Sequence, residues 1–231
     1  MTDFKYYTLD NAHQAFGSVI VLDVLRAFTT AAHAFDRGAE TIFPVASVEG
    51  AIQLRKRIRG SLIMGEVDGI KPVEFDFGNS PDEIRGLDLS GRTLIQRTSA
   101  GTQGIMRAVY ADRLFAASFV VAKATALQIQ QINPEAVSFI VTGESMGRDG
   151  DEDRACGEYI QSLIIGEGHD PGIFTQRVAT SSVGRFFKLS QNPYISEKDF
   201  DLSIEADRFS FSLPVEREQD LWVMRAEKPI S

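Results

Sequence analysis

The sequence predicts an α/β protein, with a mostly parallel sheet covered by helices on both faces and an antiparallel pair near its C-terminal end, at a sheet edge. Three observations predict it. Short continuous apolar runs, such as Val19-Ile20-Val21-Leu22, are the pattern of strands buried on both faces. Segments with helix start and stop signals separate these runs as far as about residue 166, the alternation of strands joined by helical crossovers. Beyond that point Phe209-Ser-Phe-Ser-Leu213 alternates, which suits a half-exposed strand, with Leu221–Met224 as its partner.

In chain order, the run from Ser18 to Asp23 predicts a buried strand that ends on a carboxylate. The run from Arg26 to Arg37 predicts a helix stopped by Gly38. A strand over 41–45 follows. Ser47 then caps a helix over 48–58, whose Glu49 and Arg55-Lys56-Arg57 suit the two ends of the helix dipole. Residues 61–64 predict a strand and 65–79 a long Gly- and acid-rich loop. Ser80-Pro81-Asp82-Glu83 reads as a capping box with proline at the first helical position. A strand over 93–96, a polar turn over 97–101 and a helix over 102–110 come next. A strand over 114–117 precedes a helix over 119–132 that ends before Pro134. A strand over 136–141 and a helix over 152–165 complete the regular part. There is no internal repeat, low-complexity tract or clear linker, so residues 1–231 read as a single domain.

Composition narrows the function. Net charge is −8, which argues against non-specific nucleic-acid binding, because that needs a basic face. An anionic substrate would have to meet local arginines or a metal. The one cysteine, Cys156, excludes an intrachain disulfide, and no Cys/His zinc spacing exists among His13, His33 and His169. No N-terminal apolar leader and no apolar run of roughly 18 residues is present, so a cytoplasmic protein without a membrane span is expected. The Phe-rich C-terminal third could face a second copy of the chain, as a homodimer.

The chemistry concentrates in four polar loops, each after a predicted strand: 23–26, 65–69, 97–102 and 143–153. Strand ends of an open α/β sheet are where such proteins place their sites. In 142–160, five carboxylates (Glu144, Asp149, Asp151, Glu152 and Asp153) crowd a Gly-rich turn. Carboxylates repel one another unless they are solvated or gathered by a hard cation such as Mg²⁺. With Asp23, Glu66, Arg26, Arg97 and a hydroxyl/Gly turn at a helix start, the loops hold the inventory of phosphoryl transfer. Each piece also has a plain structural reading: Asp23, Ser99 and Thr102 as helix caps, Arg26 as a surface pair, 149–153 as a solvated helix start, and Asn79-Ser80-Pro81 as a cap.

Other chemistries fit less well. Gly143-Glu144-Ser145-Met146-Gly147 matches the Gly-x-Ser-x-Gly elbow of serine hydrolases. Yet Gly147, Asp149 and Gly150 extend the loop where an elbow needs a helix, and His169 follows too soon for the usual order. No Gly-x-x-x-x-Gly-Lys phosphate loop occurs. Cys156 lies within a predicted helix, as a packed thiol would.

Five segments together resemble the 2-phosphosulfolactate phosphatase family: Val-Leu-Asp-Val-Leu-Arg-Ala-Phe-Thr-Thr (21–30), Gly-Glu (65–66), Phe-Asp-Phe-Gly-Asn-Ser-Pro (75–81), Arg-Thr-Ser-Ala-Gly-Thr (97–102) and Asp-Gly-Asp-Glu-Asp-Arg-Ala-Cys-Gly (149–157). They occur in the family's order over the first two thirds of the chain. The resemblance implies a three-layer α/β/α fold and a Mg²⁺-dependent phosphatase. The substrate it implies is 2-phospho-3-sulfolactate, an intermediate on a route to coenzyme M. It implies catalytic roles for Asp23, Arg26, Glu66 and Glu152. It further implies substrate contacts from Arg26, Asn79, Arg97, Thr98, Ser99, Gly101 and Thr102, with Mg²⁺ held by some of Glu66, Glu152 and Asp153. One position departs: the family's turn reads Thr-Thr-Asn-Gly-Thr, and Ala100 here stands where that turn has an amide. The alternatives are a non-catalytic binder of an anionic metabolite and a serine hydrolase acting through Ser145.

Overall fold

Strand by strand, the regular structure is β1 (Asp3–Thr8), β2 (Phe16–Leu22), β3 (Thr41–Pro44), β4 (Leu62–Gly65), β5 (Thr93–Arg97), β6 (Tyr110–Ala117), β7 (Ala136–Val141), β8 (Leu213–Glu218) and β9 (Leu221–Met224). The helices are α1 (Ala27–Asp36), α2 (Val48–Arg57), α3 (Pro81–Arg85), α4 (Gly101–Arg107), α5 (Ala122–Ile132), α6 (Asp151–Ile164), α7 (Pro171–Thr180), α8 (Ser182–Leu189) and α9 (Glu197–Ser203). The computed structural model describes residues 2–144, 149–190 and 192–230.

The strands form one sheet in the order β1-β7-β2-β6-β8-β9-β3-β5-β4. Two groups are internally parallel: β1-β7-β2-β6 and β3-β5-β4. The C-terminal strands are antiparallel, as expected. Their place is inside the sheet, between β6 and β3, rather than at an edge.

This insertion shapes the site. Three successive antiparallel pairings separate the two groups, so the groups run in opposite senses along the ladder. In a flat sheet their carboxyl ends would lie at opposite edges, and β2 and β5, five steps apart, would be separated by about 24 Å. Instead, the loop after β5 bonds directly to the loop after β2: Gly101 N–H donates to Asp23 Oδ2 at 2.8 Å. The sheet is therefore strongly twisted between β2 and β5 rather than flat, and the two sets of strand exits converge.

Helices cover both faces. A Cβ on Gly104 of α4 would press on Val21 and Ile140, whereas one on Gly157 of α6 would press on Leu22 and Phe139. Consecutive strand residues point to opposite faces, so α4 and α6 lie on opposite sides of the sheet. The Ser47 and Ser80 caps form as read, while the second half of the expected capping box closes on Gly78 N–H instead of Ser80 N–H. Ser47 Oγ accepts from Gly50 N–H and Ser80 Oγ from Glu83 N–H, while Glu83 Oε2 reaches back to Gly78 N–H.

Several boundaries differ from expectation. The helix expected over 102–110 ends at Arg107, and Tyr110 opens β6. The first turn of the helix expected from Phe119 is a 3₁₀ turn over Phe119–Val121. The strand expected over 209–213 falls instead at Leu213–Glu218. Phe209 and Phe211 alternate because they are ring partners: Phe209 meets His33 edge-on at 5.1 Å, and Phe211 meets Phe35 at 6.4 Å. Strand β1 and helices α7, α8 and α9 had no sequence reading. Among the described residues no helix is long and apolar enough to cross a membrane.

Candidate active site

Three carboxylates meet where β2 and β7 end. Asp153, in the first turn of α6, is 1% exposed. Its Oδ1 accepts from Val24 N–H at 2.8 Å, and its Oδ2 accepts from Gly143 N–H at 2.8 Å and from Thr142 Oγ1 at 3.3 Å. Asp23 accepts from Ala27 N–H at 2.9 Å and from Gly101 N–H at 2.8 Å. Burial, then repulsion from Glu152 and Asp23, push the Asp153 carboxyl well above the usual carboxylate range. Gly143 leaves the space that Glu152 occupies, since a Cβ there would lie 2.5 Å from Glu152 Oε1.

The Thr98–Thr102 turn is held from two sides. Glu66 accepts from Ser99 N–H (2.6 Å), Ser99 Oγ (3.1 Å) and Gly69 N–H (2.6 Å), and Asp23 holds Gly101. Thr98 and Thr102 cap each other, Thr98 N–H donating to Thr102 Oγ1 (2.9 Å) and Thr102 N–H to Thr98 Oγ1 (3.0 Å). The backbone N–H groups of Thr98, Ser99, Gly101 and Thr102 are therefore already engaged within the protein. The Ala100 N–H is the turn donor with no hydrogen bond among the described residues. Arg97 supports the turn from below, its Nη1 donating to Glu66 O (2.7 Å) and Ser99 Oγ (3.2 Å).

Arg26 opens a second, adjoining region. The Leu25–Arg26 peptide is cis. Its guanidinium is 5% exposed, and Nη1 donates to Asp199 Oδ2 (2.5 Å) and Tyr194 O (2.7 Å). This reverses the surface-pair reading: Arg26 is in a buried ion pair. It lines a cleft of about 360 Å³ together with Gly69, Lys71, Asn79, Ser80 and Asp199. Asn79 Oδ1 is buried beside it, with no hydrogen-bond partner among the described residues.

The predicted residues thus form two neighbouring groups joined by the short segment 23–26. One is Asp23, Glu152 and Asp153 with Gly101; the other is Arg26 and Asn79, with Glu66 reaching it through Gly69. Asp151 is spent on Arg177, and Asp149 is exposed near Ser182. Glu144 is exposed, and the Gly-x-Ser-x-Gly serine, Ser145, lies outside the described residues. His169 sits in the surface beside Glu167 and Phe174. Cys156 is buried, as a packed thiol should be. Sequence reasoning missed Asp199. The only signal was Ser196 three residues before it, a helix-cap spacing confirmed by Asp199 N–H donating to Ser196 Oγ.

The donor chemistry of the first group fits a hard divalent cation, because three clustered carboxylates raise each other's energy and oxygen donors suit Mg²⁺. Among the described residues no three acidic, cysteine or histidine side chains form a ready-made cage. Mg²⁺ commonly relies on one or two carboxylates plus water and substrate oxygens, so the fit does not need one.

Fold and site together define an α/β protein in which carboxylates and a guanidinium converge at strand exits, a setting for a small anionic substrate. The family model described as 2-phosphosulpholactate phosphatase matches residues 6–193. The chain belongs to that family, whose name denotes phosphoric monoester hydrolases. A Carboxydothermus hydrogenoformans protein described as a probable 2-phosphosulfolactate phosphatase is 44% identical over 147 residues, 64% of this chain and 60% of that relative. Proteins of the same description from Bacillus subtilis and Thermoplasma acidophilum are 32% and 28% identical, over 78% and 81% of each chain.

Proposed function

We propose that this protein is a Mg²⁺-dependent phosphomonoesterase that hydrolyses 2-phospho-3-sulfolactate to 3-sulfolactate and inorganic phosphate. The observation that carries this reading is the meeting of Asp23, Glu152 and Asp153 beside Arg26, in a chain of this family. The relatives' descriptions support the choice of ester.

Glu152 and Asp153 would hold the ion, with Asp23 beside them. When bound, Mg²⁺ supplies Lewis-acid polarisation and offsets phosphate charge. The chain's own residues do the rest. Asp153 and Asp23 fix the exits of β2, β5 and β7 through backbone N–H groups, so the site is set before substrate arrives. Among the described residues Nη1 makes both hydrogen bonds of the Arg26 guanidinium, so Nη2 and Nε are the atoms that would grip an anionic oxygen. The Ala100 N–H offers a further donor. A water oxygen bonds to phosphorus, the bond from phosphorus to the ester oxygen breaks, and the released hydroxy acid takes a proton.

The test is phosphate release from racemic 2-phospho-3-sulfolactate and from phospholactate, with Mg²⁺ and with excess EDTA. Chelator-sensitive release that favours the sulfonated ester is expected. Folded protein that binds these esters without releasing phosphate would make it a metabolite-binding protein instead.

A further inference from the structure

We propose that Asp199 is a positioning residue of this site, whose carboxylate sets both the Arg26 guanidinium and the Ser80–Asp82 turn in the wall of the cleft. The proposal rests on the phosphatase reading above. Asp199 lies in α9, beyond the 6–193 stretch that the family model matches.

Its carboxylate is 1% exposed and fully used. Oδ2 takes Arg26 Nη1 at 2.5 Å, while Oδ1 takes Ser80 Oγ at 2.6 Å and Asp82 N–H at 3.1 Å. One carboxylate thus ties the segment after β2 to the start of α3. Asn79, Ser80, Arg26 and Asp199 all line the same cleft. The carboxylate is itself anchored: Asp199 N–H donates to Ser196 Oγ at 3.1 Å, and Ser203 Oγ donates to Asp199 O at 2.7 Å. The Phe187 ring lies 5.8 Å from the Arg26 guanidinium carbon and shields it from water on one side. In such surroundings a guanidinium without its counter-ion would shift toward any other anion or toward solvent. A single orientation of the unspent nitrogens toward substrate therefore depends on Asp199.

The alternative is an ion pair that only stabilises the fold, and the two separate in a double-mutant cycle. Phosphate-release kinetics are measured on wild type, Asp199→Asn, Arg26→Met and the double variant. If Asp199 acts through Arg26, Asp199→Asn raises KM about tenfold in the wild type and less than about twofold in the Arg26→Met background, with kcat changed less than KM. Ser80→Ala removes one donor and no charge. It also removes the cap of α3, so it should lower the melting temperature by a few degrees; on folded protein it should raise KM about threefold, and it decides the matter if Asp199→Asn does not fold. An unchanged KM in folded Asp199→Asn, or KM effects that simply multiply in the double variant, overturns the proposal while leaving the phosphatase reading intact. If the wild type releases no phosphate, that reading fails, and the same cycle is read on the Kd for inorganic phosphate by calorimetry. Non-additive losses there support Asp199 as positioner, and independent losses or no binding overturn it.

Discussion

Asp153 reaches from the first turn of α6 to the N–H of Val24, 2.8 Å away, and so pins the exit of β2 to the exit of β7. Its other oxygen holds Gly143. The carboxylate is thus a structural joint as well as a candidate ligand. Asp153→Asn would turn one of its acceptors into a donor facing a backbone N–H, at a cost of about 1–3 kcal/mol. Its effect on activity would be mixed with that loss of stability.

Gly143 and Gly101 keep the carboxylates in reach of one another. A Cβ on Gly101 would lie 2.7 Å from Asp23 Oδ2 and 2.9 Å from Ala27 Cβ. Gly101→Ala and Gly143→Ala should each lower kcat/KM by about a hundredfold, since displacement by about 1 Å in a site has that scale. Gly86→Ala, whose Cβ would meet only Glu83 O at 3.7 Å, serves as control and should match wild type in steady-state kinetics.

Glu66 clamps the 66–69 loop to Ser99 through both oxygens. Glu66→Gln should lower the melting temperature by several degrees, because one N–H loses its acceptor at a cost of about 1–3 kcal/mol. Its half-saturating Mg²⁺ concentration should stay that of wild type. A raised Mg²⁺ requirement would return Glu66 to the ion.

Arg26→Lys keeps the charge and loses the planar fork. It should raise KM about tenfold and change kcat less, which initial-rate kinetics at saturating Mg²⁺ would show.

His33, in α1, is 1% exposed, with Nε2 buried and without a hydrogen-bond partner among the described residues. Burial, then the charge of Arg208, push its pKa from 6.5 down to about 4. The folded state therefore binds the proton more weakly than the unfolded chain. Its contribution is fully present above the unfolded pKa and is lost as pH falls from 6.5 toward 4. His33→Leu should flatten the fall in unfolding free energy, measured by urea denaturation, over that range by about 2–3 kcal/mol. Parallel curves for variant and wild type would contradict this.

Most of the parallel framework was legible because its strands are continuous apolar runs and its helices carry caps such as Ser47 and Ser80. The loops after β2, β4, β5 and β7 were legible as a polar set. The β2 and β7 loops share one sheet edge as read, and so do the β4 and β5 loops, but the meeting of these two pairs does not follow from a single edge, because the β8–β9 pair stands between the two parallel groups and nothing local places it there. Strand β1 was invisible for a related reason: Asp3–Thr8 is half-buried, and parallel pairing with β7 holds it. Asp199 is an ordinary acid in a short helix, and only the fold brings it to Arg26. Nothing in the sequence of the 97–102 turn tells that Glu66 and Asp23 take its N–H groups.

The central proposal is that the carboxylates at the β2 and β7 exits form the centre of a Mg²⁺-dependent phosphatase. Its most direct test is phosphate release from 2-phospho-3-sulfolactate by wild type and by Glu152→Gln across a Mg²⁺ titration, with urea midpoints confirming that both are folded. Chelator-sensitive release by the wild type, with turnover lost or a Mg²⁺ requirement raised about tenfold or more in Glu152→Gln, is the predicted result. Equal turnover and equal Mg²⁺ dependence in the two proteins would contradict it.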